Sequence, residues 1–186
     1  DVAGGGALID IGVHAIDLAL YFHDFPEVVE VSGTVRSQFG GREDYTYLEM
    51  WGEDTDSGRF TVDDSVTAFV RCADGRTISL EVAWAANRDP NKQYHVRGTK
   101  AGARFDKRDD SLTLYETSMV GADHFSDTDV ATRQEDAHKA EQRVFFEAVE
   151  EGVAPGRNTV EQSLTVQRVI DAIYRSSEQD SAVRLD

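Results

Sequence analysis

The chain has 186 residues, enough for one domain with a sizeable core, and its formal net charge is −16. This charge excludes nucleic acid and membrane surfaces as expected partners, because binding to them requires clustered Lys and Arg. A single cysteine, Cys72, rules out an internal disulfide and a cysteine-based zinc site within one chain, and we expect it to be a core thiol.

The sequence shows neither an apolar run of about 18 residues nor a basic segment leading into an apolar one, so we expect a soluble, cytoplasmic protein. Most basic residues are Arg and few are Lys. Together with the acidic excess, this composition is typical of salt-adapted, halophilic proteins. The opening residues DVAGGG precede a helical pattern without a strand before it, and we expect further polypeptide upstream.

The first elements are predicted as a helix and a strand. The helix spans residues 7–23 and ends before Pro26, which disfavours helix in the residue preceding it. The strand covers 28–39, where β-branched residues are frequent. A loop over 40–60 follows, and it is long enough to form a lid or a contact surface.

An antiparallel sheet is predicted for the middle of the chain. Residues 62–72 and 76–86 form a hairpin around the turn pair Asp74-Gly75. Further short strands are predicted over 93–97, 103–105 and 111–115, and residues 118–134, which show no period, are predicted to be a loop. On the second hairpin strand the large apolar side chains alternate on one face: Ile78, Leu80, Val82 and Trp84.

The helical period returns near the C-terminus. One helix is predicted from residue 136 to 151 and is ended by Gly152. A second helix has Asn158 as its N-cap, with Glu161 completing a capping box, and continues to about residue 176. Residues 183–185 fit a last edge strand. The order of elements predicts an α+β fold, with an open, mostly antiparallel sheet and helices packed on one face.

Three polar side chains interrupt the apolar first helix. Asp10, His14 and Asp17 are spaced by four and three residues, so on an α-helix they share one face. Gly12 lies among them, although Gly costs about 1 kcal/mol relative to Ala inside a helix. We therefore expect a neighbouring backbone or a ligand to need the space beside Gly12.

Several roles are open for these three side chains. A His with a carboxylate one turn away is often a satisfied core pair. The same pair suits alcohol oxidation, because His can take a proton from a hydroxyl near neutral pH while the carboxylate orients it. Metal binding is disfavoured, since three ligands along one helix would spread over roughly 10 Å, and no metal is expected.

The stretch GGGALIDIGVHAIDLALYF resembles the motif that opens the C-terminal domain of the Gfo/Idh/MocA family of oxidoreductases. The resemblance continues in order through VDDSVTAF with Asp64, EVAWAA, RGTKAG and the ending EQSLTVQRVIDAIYRSSEQDSAVRLD. It implies a fold similar to the C-terminal domain of dihydrodipicolinate reductase. Residues 1–186 then form a single substrate-binding and oligomerisation domain, and an N-terminal Rossmann domain that binds NAD or NADP is absent from this chain.

The resemblance also assigns residues to roles. Asp10 and His14 occupy the positions of the two catalytic side chains that this domain supplies, where His14 accepts or donates the proton and Asp10 orients it or the substrate. The family's third group, a Lys in a Glu-Lys-Pro motif, has no counterpart here. Trp84, Asn87 and Arg88 end the strand that would face the cofactor domain and are candidate contacts to a polyol.

The predicted function is therefore that of one half of an NAD(P)-dependent oxidoreductase. It would transfer hydride between the nicotinamide and a sugar, inositol or related polyol, and the chain alone would be inactive. The alternative is a non-catalytic binding or oligomerisation module of the same fold, in which Asp10 and His14 only satisfy each other. In both cases a homo-oligomer formed through the sheet face is expected, because residues 78–84 suggest an apolar face that must be covered.

Overall fold

A computed structural model describes residues 4–42, 44–45, 60–87, 91–132 and 135–185. The chain divides into two compact units, the first formed by Asp1–Asn87 with Arg157–Asp186 and the second by Arg88–Gly156. Within the described residues the elements are, in chain order, a π-turn (Leu8–Gly12), α1 (Val13–Phe22), β1 (Val28–Arg36), β2 (Ser65–Cys72), β3 (Thr77–Ala83), β4 (Gln93–Arg97), β5 (Ala101–Asp106), β6 (Ser111–Ser118), β7 (His124–Val130), α2 (Ala137–Glu151), α3 (Val160–Gln179) and β8 (Val183–Arg184).

The first unit contains a four-stranded antiparallel sheet in the order β3-β2-β1-β8. Register places Gly33 of β1 opposite Ala68 of β2, and Ala68 opposite Leu80 of β3. The side chains on this face of the sheet and those of α1 and α3 form one buried core. Its fully buried large members are Leu8, Leu20, Val31, Val66, Val70, Val169 and Ile173.

Helix α3 lies close against β1 at Gly33. A Cβ at Gly33 would come within 2.9 Å of Ile173 Cγ2, so only a residue without a side chain allows this approach. Because β8 has two residues, it pairs with only a short part of β1. Farther along β1, the backbone N–H groups of Gly33 and Val35 donate to the hydroxyls of Ser176 and Ser177, at 2.9 Å each. The end of α3 thus provides hydrogen-bond acceptors for backbone N–H groups of β1 that do not pair with β8.

The second unit is a four-stranded antiparallel meander, β4-β5-β6-β7, followed by α2. Asp136 caps α2 by accepting from the backbone N–H groups of His138 and Lys139, and Gly152 ends it in the left-handed conformation at φ 66°. The prediction of a loop over 118–134 is wrong, because His124–Val130 pairs with β6 along its length. Its sequence shows no alternation since β7 is an edge strand whose side chains are mostly exposed.

The prediction of an α+β fold with antiparallel strands and helices is confirmed, while the described strands belong to two sheets, one in each unit. The predicted N-cap of α3 is one residue early. Thr159, not Asn158, is the cap, and its capping-box partner is Gln162. Helix α3 also runs on to Gln179, and β1 ends at Arg36 rather than at 39. Most of the predicted loop over 40–60 lies outside the described residues.

The apolar face of β3 is not left open. Ile78, Leu80 and Val82 are buried and belong to the core, and Cys72 lies in the same core. Trp84 departs from the predicted alternation, since it follows the end of β3 and is 39% exposed. Residues 78–84 therefore offer no open apolar face for self-association, because helices of the same unit already cover that face.

Candidate functional site

The polar stripe of the first helix begins on a π-helical turn. The predicted helix over 7–23 is present, but Leu8–Gly12 is a π-helix and only Val13–Phe22 is α-helical. In a π-turn the hydrogen bonds run from residue i to i+5, and such turns are frequent at functional sites. Asp10 lies in the π-turn, His14 in the first turn of α1, and both side chains are exposed.

Gly12 is accounted for by packing within the same helix. A Cβ at Gly12 would lie 2.9 Å from Leu8 Cδ1, and Leu8 is fully buried. The space beside Gly12 is therefore needed for a core side chain. Neither a ligand nor a second backbone is required to explain this glycine.

Asp10 is hydrogen-bonded to Trp84, on the loop that follows β3. The indole Nε1–H of Trp84 donates to Asp10 Oδ2 at 2.9 Å. The backbone N–H of Trp84 in turn donates to the carbonyl oxygen of Asp64 at 2.9 Å. The structure thus brings together two of the predicted site residues, which are 74 positions apart in the sequence.

Asp17 is an electrostatic neighbour of His14 on α1. Burial raises the pKa of the Asp17 carboxyl, and the nearby charge of His14 opposes that increase. Within the described residues no hydrogen bond joins Asp10 to His14. The Asp10 carboxylate accepts from Trp84, and the expected role of Asp10 in orienting the imidazole or the substrate stays a prediction.

The other predicted substrate contacts are less well placed by the structure. Asn87 is exposed, and no hydrogen bond connects it to Asp10 or His14 within the part of the chain that is described. Arg88 lies outside the described residues. Tyr94 and His95 belong to β4 of the second unit, where burial raises the pKa of the Tyr94 hydroxyl.

Two adjacent buried acids, which the sequence reasoning did not single out as functional, hold the segments that carry the site. Asp63 Oδ2 accepts the backbone N–H of Leu8 at 2.7 Å. Asp64 Oδ2 accepts the backbone N–H groups of Phe39 and Gly40, at 2.6 and 3.0 Å. The signal in the sequence was a pair of Asp residues directly before an apolar strand. Charged side chains are rarely buried unless their carboxylates have hydrogen-bond partners.

Large apolar side chains are exposed around the polar stripe. On the π-turn and α1, Ile11 is 38% exposed, Tyr21 47% and Phe22 39%. Single exposed apolar residues are common, but several of them beside polar groups on one helix are typical of a surface that binds a ligand or another domain.

An open groove of about 490 Å³ lies beside the start of the same helix. Gly4–Gly6, Val35–Ser37, Thr61–Asp63 and Tyr174 line it together with Ile9. Neither Asp10 nor His14 is among its lining residues. The groove is therefore distinct from the exposed face that carries the candidate catalytic side chains.

In the described part of the chain, no group of three or more His, Cys, Asp or Glu side chains is arranged to hold a metal ion. No helix within those residues is long and apolar enough to cross a membrane.

One known protein family matches more than half of this chain. The sequence model of the GFO/IDH/MocA C-terminal domain matches residues 1–104, which include the π-turn, α1 and the first four strands. The chain belongs to the GFO/IDH/MocA family. The resemblance inferred from the Gly-rich Asp and His motif is thereby confirmed.

Curated relatives in this family include sugar dehydrogenases. The chain is 25% identical over 194 residues to D-glucoside 3-dehydrogenase of Escherichia coli, covering 100% of this chain and 50% of that protein. It is 26% identical over 185 residues to D-xylose 1-dehydrogenase (NADP(+)) 2 of Haloferax volcanii, covering 98% of this chain and 49% of that protein. The chain thus spans about half the length of the curated relatives it matches.

Solved structures share the fold. Levoglucosan dehydrogenase in complex with NADH superposes with a TM-score of 0.77 at 23% identity, over 99% of this chain and 51% of the other. An aldose-aldose oxidoreductase from Caulobacter crescentus, complexed with glycerol, gives 0.74 at 21% identity, over 98% and 48%. At these identities the likeness establishes the architecture and not the substrate.

Proposed function

We propose that this chain is the substrate-binding half of an NAD(P)-dependent oxidoreductase that acts on a hydroxyl or carbonyl of a sugar, inositol or related polyol. The observation that carries the proposal is the exposed group formed by Asp10 and His14 on one helix, with the indole of Trp84 bonded to Asp10. The family and its sugar dehydrogenases support the reaction class.

His14 is the proposed proton acceptor in oxidation and donor in reduction. An exposed imidazole can exchange a proton with a substrate hydroxyl near neutral pH. Asp17, whose charge interacts with that of His14, would stabilise the protonated imidazole. We propose Asp17 for this support because its charge interacts with that of His14, three residues before it on the same helix.

Asp10 would then orient the substrate. One of its carboxylate oxygens accepts the indole N–H of Trp84, which fixes the side chain and leaves Oδ1 to accept a sugar hydroxyl. The partly exposed ring of Trp84 would pack against the apolar C–H face of the sugar. Asn87 and Arg88 remain proposed polar contacts further along the same loop.

The nicotinamide, NAD or NADP, would be bound mainly by an N-terminal Rossmann half, because this chain contains no G-x-G-x-x-G segment of its own. When bound, the nicotinamide supplies the hydride acceptor. The exposed apolar side chains of Ile11, Tyr21 and Phe22, on the same π-turn and helix as Asp10 and His14, are proposed to offer the surface for that half. On this proposal residues 1–186 act as one domain that is inactive alone, while homo-oligomer formation and a cytoplasmic location stay predictions.

The proposal is tested with the purified full-length protein, NAD⁺ or NADP⁺, and a panel containing glucosides, xylose, levoglucosan and inositol. We expect reduced nicotinamide to form with at least one sugar, and expect Asp10→Asn to weaken turnover with that sugar. Absence of turnover with every substrate, in both directions and with both cofactors, would overturn the proposal. The non-catalytic binding or assembly module would then be the better reading.

A further inference from the structure

Asp63 contacts the start of the π-turn through both its side chain and its main chain. Its carboxylate accepts the N–H of Leu8 at 2.7 Å, and its carbonyl oxygen accepts the N–H of Ala7 at 2.9 Å. A Cβ at Gly6 would lie 2.1 Å from the Asp63 carbonyl oxygen, so the two backbone segments are as close as glycine allows. The position of the turn is thus set by a residue 55 positions away from Leu8.

Tyr174 of α3 fixes the carboxylate that holds the turn. Its hydroxyl donates to Asp63 Oδ1 at 2.8 Å, so both oxygens of the carboxylate have partners. Burial and, after it, the hydrogen bond to Asp63 raise the pKa of the Tyr174 hydroxyl, which therefore stays protonated and remains a donor. Neither residue has a part in the proton transfer proposed above.

Asp64, the next residue, binds Trp84, the hydrogen-bond partner of Asp10. Its carbonyl oxygen accepts the N–H of Trp84, while its side chain is 1% exposed and fully bonded. The dipeptide Asp63-Asp64 therefore supports both ends of the hydrogen bond between Asp10 and Trp84. A displacement at Asp63 moves the helix start relative to Trp84, which stays attached through Asp64.

We propose that Asp63 and Tyr174 are positioning residues that keep Asp10 within hydrogen-bond reach of Trp84 and thereby aligned for the substrate. The inference rests on the proposed function for its catalytic consequence, but not for the geometry it describes. A π-turn sets its side chains at angles different from those of an α-turn, so the orientation of the Asp10 side chain depends on the position of the turn. The Leu8 N–H bond is the contact through which the Asp63 side chain holds it, beside the bond from the Ala7 N–H to the Asp63 carbonyl oxygen.

The variants are Tyr174→Phe, which removes one hydroxyl, and Asp63→Asn, each made in the full-length protein. Tyr115→Phe is the matched control, because Tyr115 lies on β6 of the second unit. Two readouts are followed: kcat and KM, and the indole N–H resonance of Trp84 in ¹H–¹⁵N spectra. The chain holds two tryptophans, and Trp84→Phe identifies which signal belongs to Trp84.

We expect Tyr174→Phe to lower kcat about three- to tenfold, the scale of the net contribution of one typical intramolecular hydrogen bond, with KM little changed. The Trp84 resonance should move in the same direction as in Asp10→Asn, and adding Tyr174→Phe to Asp10→Asn should lower kcat no further. Tyr115→Phe should change neither readout. A residue that only stabilises the fold would lower the melting temperature without moving kcat or the resonance.

An unchanged kcat and an unchanged Trp84 resonance in Tyr174→Phe would overturn the inference, even if Asp63→Asn fails to fold. If the full-length protein oxidises no sugar, the proposed function fails, and the Trp84 resonance alone then decides the positioning role. A resonance that shifts in Tyr174→Phe but not in Tyr115→Phe would support it in that case as well.

Discussion

Replacing Trp84 by Phe separates the two roles that the structure gives this side chain. The substitution removes the indole N–H that donates to Asp10 and keeps an aromatic ring against the sugar. A hydrogen bond to a charged acceptor contributes about 1.5–3 kcal/mol. Because Trp84 is 39% exposed, water replaces part of this interaction, and we take about 1 kcal/mol.

That value corresponds to a decrease in kcat/KM of about fivefold for Trp84→Phe. Most of the decrease should lie in kcat, since Asp10 loses its alignment while the ring remains. Trp84→Ala removes the ring as well and should raise KM in addition. Steady-state kinetics with the preferred sugar and saturating nicotinamide measure both, and thermal unfolding checks that each variant is folded. Unchanged kcat/KM in Trp84→Phe would refute the role of the hydrogen bond, and equal effects of Phe and Ala would refute the role of the ring.

Three further predictions concern the chain itself. The 186-residue chain alone should show no NAD or NADP binding by calorimetric titration. A micromolar affinity for either cofactor would contradict the proposal that the Rossmann half binds the nicotinamide. Ile173→Ala, at a fully buried position, should lower the free energy of unfolding by about 2–5 kcal/mol in urea titrations, whereas Leu164→Ala, at a 53% exposed one, should cost much less. Burial raises the pKa of Asp17, so its ionised form opposes folding at neutral pH. Asp17→Asn should therefore raise the free energy of unfolding at neutral pH, and this increase should disappear as the pH falls below about 4. Equal stabilisation at neutral and at acidic pH would contradict the prediction.

The antiparallel class and the helices could be predicted from the sequence because burial imposes a visible period on it. The alternation of Ile78, Leu80 and Val82 and the turn at Asp74-Gly75 reflect a sheet with one face in the core. Strand β7 could not be predicted in this way. It lies at a sheet edge with mostly exposed side chains, so nothing in its sequence distinguishes it from a loop.

The site was predicted in part. The spacing of Asp10, His14 and Asp17 indicates a shared helical face, and the family motif points to the first two. The sequence does not reveal that Asp10 lies on a π-turn, that Leu8 at the start of this turn donates to Asp63, or that Asp10 accepts from Trp84. Contacts between positions so far apart leave no periodic signal in a single sequence.

The most direct test of the account is the turnover of His14→Ala in the full-length protein with its preferred sugar. Loss of the proton acceptor should lower kcat by about 10² or more, the usual scale for a general acid–base group. His23→Ala, at the end of the same helix, is the matched control and should keep turnover close to that of the unsubstituted protein. An unchanged kcat in His14→Ala would assign His14 a structural role and contradict the proposed mechanism.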